Sequence, residues 1–368
     1  MTERKLRVLF ITPGGTASRG GMGRMAQYLT QEFQRRHPEL RVRVLDSYGP
    51  GWTALMPFYF LRCLIQLGVM CLVRPPDLIH LNLAAHGSTL RKLLLMRLAG
   101  AFRVPTLLHI HASRFVPFCE SLGPRARRLL VGSLSRASRI VVIGDYWRRY
   151  LVETLGVPAE IVAVIHNAVP MPPPAAPRAA NSRCRIVALG QLGQRKGTPE
   201  LLDALAASTM RELDWEADIA GNGTVEASRA RVAALGLSDR VRIPGWVDAE
   251  TVAGLLAGAD IFVLPSHNEG LPVAILEAMG AGLAVVTTPV GAIPELVIAH
   301  ESGLLVPPGS AGDLAAALAD LVGNPELRVR LGKNARERIE RYFRIDATAD
   351  QFASMYRALA SARRASEG

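Results

Sequence analysis

Residues 261–282 read Ile-Phe-Val-Leu-Pro-Ser-His-Asn-Glu-Gly-Leu-Pro-Val-Ala-Ile-Leu-Glu-Ala-Met-Gly-Ala-Gly, and three kinds of segment follow one another in them. Residues 261–265 are a short apolar run, as a strand covered on both faces requires. Glu269 is expected where that strand ends, Pro272 suits the first turn of a helix, and Glu277 falls on the helix among Val273, Ile275 and Leu276. Strand, polar loop and helix in this order make one β-loop-α unit of a parallel sheet.

The unit recurs on both sides. Residues 185–189, 217–221, 241–244, 284–288 and 303–306 are further apolar runs separated by amphipathic helical patterns. Toward the amino terminus, residues 8–12, 77–83, 106–112, 140–144 and 161–165 repeat the alternation. Between the two sets lies Pro-Met-Pro-Pro-Pro-Ala-Ala-Pro at 170–177, which can be neither helix interior nor central strand. The expected fold class is therefore α/β, with two Rossmann-like, doubly wound domains facing a central cleft. The boundaries expected are 1–170, a proline-rich linker at 171–182, 183–345, and a C-terminal helix at 346–368 crossing back to the first domain. Ligands in such sheets bind outside the carboxyl ends of the strands.

The chain has 368 residues, 49% hydrophobic and 20% charged, too apolar for a disordered protein and long enough for two cores. Residues 1–180 carry 24 Lys and Arg against 9 Asp and Glu, whereas 181–368 carry 19 against 23. All the excess positive charge lies in the first half. The basic residues are not interleaved with aromatics, which argues against nucleic acid as a partner. The four cysteines form no CxxC pair and read as reduced thiols of a cytoplasmic protein. Near the start, the apolar run is too short for a signal peptide. Residues 57–73 are the most apolar stretch, but Arg62 and Gln66 interrupt it and the charge-free remainder is too short to span a bilayer. A helix buried against the sheet is the reading expected there, and a helix lying in a membrane interface the alternative.

Several loops after strands carry groups suited to phosphate. Gly20, Gly21 and Gly23 precede a helix at 25–35, and in the second half Arg195 and Lys196 end a loop bounded by Gly190 and Gly197 just before another helix. The amides at Gly270, Leu271 and Val273 repeat the arrangement. His109 and His111 alternate along one strand, so both face the same side, His109 toward the core and His111 toward the mouth.

The pair Glu269 and Glu277, preceded by Pro-Ser and followed by Ala-Met, resembles the retaining nucleotide-sugar glycosyltransferases of family 4, also called glycosyl transferases group 1, which have the GT-B fold. The likeness extends through RPPDLIHLN at 74–82, His111, HNAV at 166–169, the Lys196-Gly197 turn, IAGNG at 219–223 and GAIPELV at 291–297. It implies that Gly20, Gly21 and Gly23 meet a donor diphosphate, that Lys196 neutralises it, and that Glu277 binds the ribose hydroxyls. It further implies that Glu269, with Gly270, Leu271, Pro272 and Val273, holds the donor sugar and phosphate, that Val247 meets the base, and that His111 faces the transferred sugar. Where the family has an arginine this chain has Gln191, and Arg195 is the candidate replacement.

The resemblance implies transfer from a UDP- or GDP-sugar to a glycan or lipid-linked acceptor in polysaccharide or glycolipid synthesis. With no DxD motif in the chain, neither a metal nor another cofactor is expected. A nucleotide-sugar epimerase or hydrolase, or a non-catalytic nucleotide-sugar-binding protein, is the alternative. Arg91, Lys92, Arg97, Arg125, Arg127 and Arg128 are the residues expected to meet an anionic membrane surface or acceptor.

Overall fold

The computed structural model describes residues 5–15, 20–49, 53–111, 113–172 and 183–367. The chain divides into two units, Met1–Ala168 with Ile345–Gly368, and Val169–Arg344. Elements of the first are β1 (Leu6–Thr12), α1 (Gly21–Arg36), β2 (Leu40–Asp46), α2 (Met56–Val73), β3 (Leu78–Leu83), α3 (Gly87–Ala101), β4 (Thr106–Ile110), α4 (Phe115–Glu120), α5 (Pro124–Leu134), β5 (Arg139–Val142), α6 (Asp145–Arg149) and β6 (Val162–Val164). Those of the second are β7 (Cys184–Leu189), α7 (Thr198–Ala206), α8 (Ser208–Arg211), β8 (Trp215–Ala220), α9 (Val225–Ala234), β9 (Val241–Gly245), α10 (Ala249–Ala257), β10 (Ile261–Leu264), α11 (Val273–Gly280), β11 (Ala284–Thr287), α12 (Ile293–Leu296), β12 (Leu304–Leu305), α13 (Ala311–Gly323) and α14 (Pro325–Tyr342). The last helix, α15 (Ile345–Glu367), belongs to the first unit. Ten residues of the proline-rich stretch, 173–182, lie outside the described residues.

Each unit has a six-stranded parallel sheet, ordered β2-β1-β3-β4-β5-β6 in the first and β12-β11-β10-β7-β8-β9 in the second. The strand order reverses between β1 and β3, and between β7 and β10. At such a reversal the loops leaving two adjacent strands diverge to opposite faces, and the crevice between them is where a ligand fits. Burial explains most strands: β3, β4, β10 and β11 are buried at every position.

Strand β2 has no continuous apolar run. Its Leu-Arg-Val-Arg-Val-Leu-Asp alternates because it is an edge strand with one face toward solvent. A search for solid apolar runs passes over it.

The C-terminal helix completes the first core. Ile345, Ala349, Phe352, Ala353 and Tyr356 are buried among Leu6, Val8, Met25, Leu29 and Phe33, and Asp350 pairs with Arg36 at 2.8 Å and His37 at 2.9 Å.

The expectation that residues 57–73 are buried is overturned. They form α2, but only 17% of that helix is buried, through Cys63, Leu67 and Cys71. The reason is its place beside edge strand β2 and helix α3, which leaves one narrow side to pack. Two members of the expected basic surface are overturned as well. Lys92 is wholly buried and donates to Ser47 Oγ. Arg91 is buried too, with Nη1 on Met56 Sδ at 3.2 Å and its guanidinium 5.5 Å from the Tyr48 ring centre. Positions 88, 91, 92, 95 and 99 share the inward stripe of α3, so neither cation reaches the surface.

Candidate functional site

In the second unit the loops after β7 and β10, the two strands at the reversal, are locked together. Gly197 has φ 68°, and a Cβ there would stand 2.0 Å from the Pro265 carbonyl oxygen, so only glycine lets the loops approach this closely. The His267 N–H donates to the Arg195 carbonyl at 2.9 Å, and Arg195 Nη1 donates to the Asn268 carbonyl at 3.3 Å. A third segment, the turn after β11, caps the assembly. Thr288 Oγ1 donates to the Ser266 carbonyl at 2.6 Å, and the Ala292 N–H to the Gly270 carbonyl at 3.1 Å.

At the centre is an ion pair that neither loop could make alone: Lys196 Nζ bonds Glu269 Oε1, which also accepts from Ser266 Oγ at 2.7 Å. Glu269 is buried and Lys196 largely so. A buried carboxylate held by an ammonium and a hydroxyl has a fixed rotamer, which is what a sugar-binding acceptor needs.

Glu269 does not end a strand, contrary to expectation. Strand β10 stops at Leu264 because Pro265 has no N–H to continue the ladder, and Glu269 lies in the loop at 265–272. Gly270, Leu271, Pro272 and Val273 follow it, all buried, with Pro272 at the cap of α11. The N–H groups of Val273 and Ala274 open that helix without carbonyls four residues back, as every helix start does. Glu277 is half-buried one turn along. Lys196, Arg195, Glu269 and the 270–273 backbone are thus brought together. Val247 stands apart, two residues beyond β9, and β9 is two strands from β7.

The first unit builds its reversal point differently. Gly20 caps α1, with nothing within 4 Å of the place a Cβ would occupy, and Gly21 and Gly23 lie in its first turn. Residues 16–19 of that loop lie outside the described residues. The turn before them is held by Asp46 Oδ1, which accepts from the Gly14 N–H at 2.7 Å and the Tyr48 N–H at 2.8 Å. From β3, Asn82 Nδ2 donates to Thr12 Oγ1 at 3.3 Å and Asn82 Oδ1 faces His111 Nε2 at 3.2 Å. With Oδ1 as acceptor, His111 carries its proton on Nε2. Burial around the ring lowers the His111 pKa to about 3, so the imidazole is neutral at ordinary pH even though an edge reaches the surface.

Behind it the chain continues inward. The His109 ring lies tilted against that of His111 with 3.8 Å between ring centres, His80 Nε2 meets His109 Nδ1 at 3.2 Å, and Tyr356 Oη meets His80 Nδ1 at 2.6 Å. His80 and His109 are fully buried, and desolvation pushes both pKa values well below the usual histidine range. Asn82, Asp46 and Ser266 were not singled out in the sequence. The only signal was position, each lying at or just past the carboxyl end of a strand.

Of the remaining basic candidates, Arg97, Arg125 and Arg128 are exposed, while Arg127 turns back onto the carbonyls of Cys119 at 3.2 Å and Glu120 at 3.3 Å.

Two family models match the chain, a glycosyl transferase 4-like domain over residues 1–168 and glycosyl transferases group 1 over residues 175–338. A GDP-mannose-dependent alpha-(1-6)-phosphatidylinositol monomannoside mannosyltransferase of Mycobacterium tuberculosis is 27% identical over 97% of this chain and 100% of its own. Among solved structures, a sucrose-phosphate synthase from Thermosynechococcus elongatus superposes with a TM-score of 0.80 at 21% identity, covering 97% of this chain and 100% of that one. HepE of Anabaena, solved with UDP-glucose, gives 0.74 at 19% identity over 96% and 100%. The fold in common is two parallel-sheet α/β domains of the GT-B kind.

Proposed function

We propose, for a chain that belongs to the group 1 glycosyltransferases and carries their 4-like amino-terminal domain, that it moves a sugar from a UDP- or GDP-sugar to a hydroxyl of a glycan or lipid-linked acceptor. The transfer retains the anomeric configuration. The observation that carries this reading is the Lys196–Glu269 pair, set among three loops that close on it at the strand reversal of the second unit. In support, one relative is named for GDP-mannose and for the alpha linkage it makes, and HepE was solved with UDP-glucose.

In this reading Lys196 divides its ammonium between Glu269 and the donor diphosphate, and Glu269 turns its other oxygen to the sugar hydroxyls. The amides of the 270–273 segment and the start of α11 take the phosphate. Glu277 accepts from the ribose hydroxyls, and Arg195, already aimed at the 265–272 loop, replaces the arginine missing at Gln191. The backbone at Val247 meets the base, while Gly20, Gly21 and Gly23 offer further amides to phosphate. His111, neutral and with Nε2–H committed to Asn82, offers Nδ1 and a polar ring edge to the transferred sugar rather than a positive charge. The bond from the anomeric carbon to the diphosphate breaks as the acceptor oxygen attacks from the same side, and the acceptor proton passes to the departing diphosphate oxygen. Catalysis is then positioning plus stabilisation of the leaving charge by Lys196 and the loop amides, with no metal ion required. The enzyme works at the cytoplasmic face of a membrane, where anionic lipid meets the basic first unit.

Incubation with radiolabelled UDP-glucose and GDP-mannose, with and without a membrane lipid extract, tests this reading. Extract-dependent, α-configured product that persists in EDTA is expected. Donor cleavage indifferent to any acceptor, or a β-configured product, would overturn it.

A further inference from the structure

Helix α2 is inside out for a soluble protein. Phe58, Leu61, Ile65, Val69 and Leu72 recur at helical spacing, and each is more than half exposed. The inward side presents Cys63, Leu67 and Cys71. Arg62 is the single charged residue of the 18. Single exposed apolar residues need no explanation, but a stripe running the length of a helix does. Its neighbour α3 extends the apolar surface with exposed Leu90 and Leu94.

The charges around α2 indicate what covers it. Between Asp46 and Glu120 the sequence contains one carboxylate, Asp77, against seven Lys and Arg. Asp77 is buried and accepts from the Arg7 N–H at 2.8 Å. The surface contributed by residues 47–119 therefore carries cations and no anion. At the C-terminal end of α2, Arg363 Nη1 donates to the Pro76 carbonyl at 2.9 Å. There a groove of about 600 Å³ opens, lined by Arg97, Arg103, Arg136 and Arg363 with no acidic side chain. It lies at the amino ends of β4 and β5, the opposite end of the strands from His111.

We infer that α2 lies flat in an anionic lipid bilayer, its Phe58-to-Leu72 stripe among the acyl chains and the arginine groove at its foot taking lipid phosphates. This rests on the reading above that the enzyme works at a membrane, and it assigns the element that makes the contact. Spanning is excluded for the folded unit, because the inner side of α2 is packed on α3 and β2. A second copy of the chain would bring the same cations face to face, whereas an anionic bilayer satisfies both the apolar stripe and the arginines.

The test uses the full chain with vesicles of pure phosphatidylcholine and of phosphatidylcholine mixed with phosphatidylglycerol. Sedimentation with the mixed vesicles is expected to weaken about tenfold or more in Ile65→Asp/Val69→Asp, both positions being exposed so that folding is spared. In Arg97→Glu/Arg103→Glu the preference for the mixed vesicles is expected to be lost. Indole emission from Ile65→Trp is expected to shift to the blue on binding. If the Asp double variant binds as well as the parent while Arg125→Glu/Arg128→Glu does not, the membrane reading stands and the assignment to α2 falls. If the parent binds neither vesicle, both fall. If the parent is a dimer that Ile65→Asp/Val69→Asp splits, and binds no vesicle, the stripe is a protein interface.

Discussion

The two sheets reverse their strand order once each and fill the two reversal points with opposite chemistry. In the second unit the point is ionic, with Lys196 on Glu269. Among the described residues of the first, it is a neutral run of Thr12, Asn82 and His111 backed by two neutral imidazoles, with the Asp46 carboxylate tying down the turn after β1. The two lysines sharpen the contrast. Lys196 meets a carboxylate, while Lys92 meets a serine hydroxyl, and burial lowers the Lys92 pKa to about 7. A basic first half therefore does not mean a basic first site. Part of its excess charge is exposed, as at Arg97, Arg125 and Arg128, and part is buried at Arg91 and Lys92, while the Thr12, Asn82 and His111 run is neutral.

The largest expected effect breaks the ionic side. Lys196→Ala should lower kcat by roughly 10²–10³-fold, the cost of removing one preorganised group that stabilises developing charge, and leaves Glu269 buried without its cation. Steady-state kinetics check this, and near-normal turnover would remove Lys196 from the site. Next, Lys92→Met should stabilise the protein by about 2–4 kcal/mol at pH 6, read from denaturant unfolding. The sign follows from the lowered pKa: between about pH 7 and the ordinary lysine value the unfolded chain holds a proton that the folded chain has released. Stability of the parent should thus rise with pH across that window, and the variant should lack that rise. A destabilised variant would mean the ammonium is needed where it is. Glu277→Ala should raise the donor KM about 10–100-fold with a smaller change in kcat, the loss of hydrogen bonds from a charged acceptor. The smallest effect concerns His111: because its pKa is about 3, the profile of kcat/KM between pH 5 and 8 should show no limb assignable to it. An acidic limb near pH 6.5 that vanishes in His111→Asn would show that the ring titrates and that both reversal points carry charge.

The α/β class and most strands were legible because parallel strands are solid apolar runs, and runs such as Ile261–Leu264 leave little choice. Strand β2 was not, since an edge strand shares its alternation with many surface segments. Helix α2 misled because apolar composition measures what a segment can be buried in, and protein interior and lipid give the same reading. Lys92 misled in the opposite direction, as a cation that the helical phase of α3 turns inward. At the site, Glu269 and Lys196 were visible one by one, in loops 73 positions apart in sequence. Their pairing came from the adjacency of β7 and β10. Ser266 and Asn82 act through hydrogen bonds to other site residues, and no spacing rule marks such partners.

Helix α15 has a consequence for how the protein comes into being. The side chains that close the first core, Phe352 and Tyr356, are translated after all of the second unit. While the ribosome is still making residues 169–344, the first unit has His80 without its tyrosine and Phe33 without its cover. The second unit, continuous in sequence, has every strand of its sheet before that happens. Synthesis thus runs from the amino terminus, but completion of the core runs the other way, and a message cut short near its end leaves the first-made part of the enzyme unfinished.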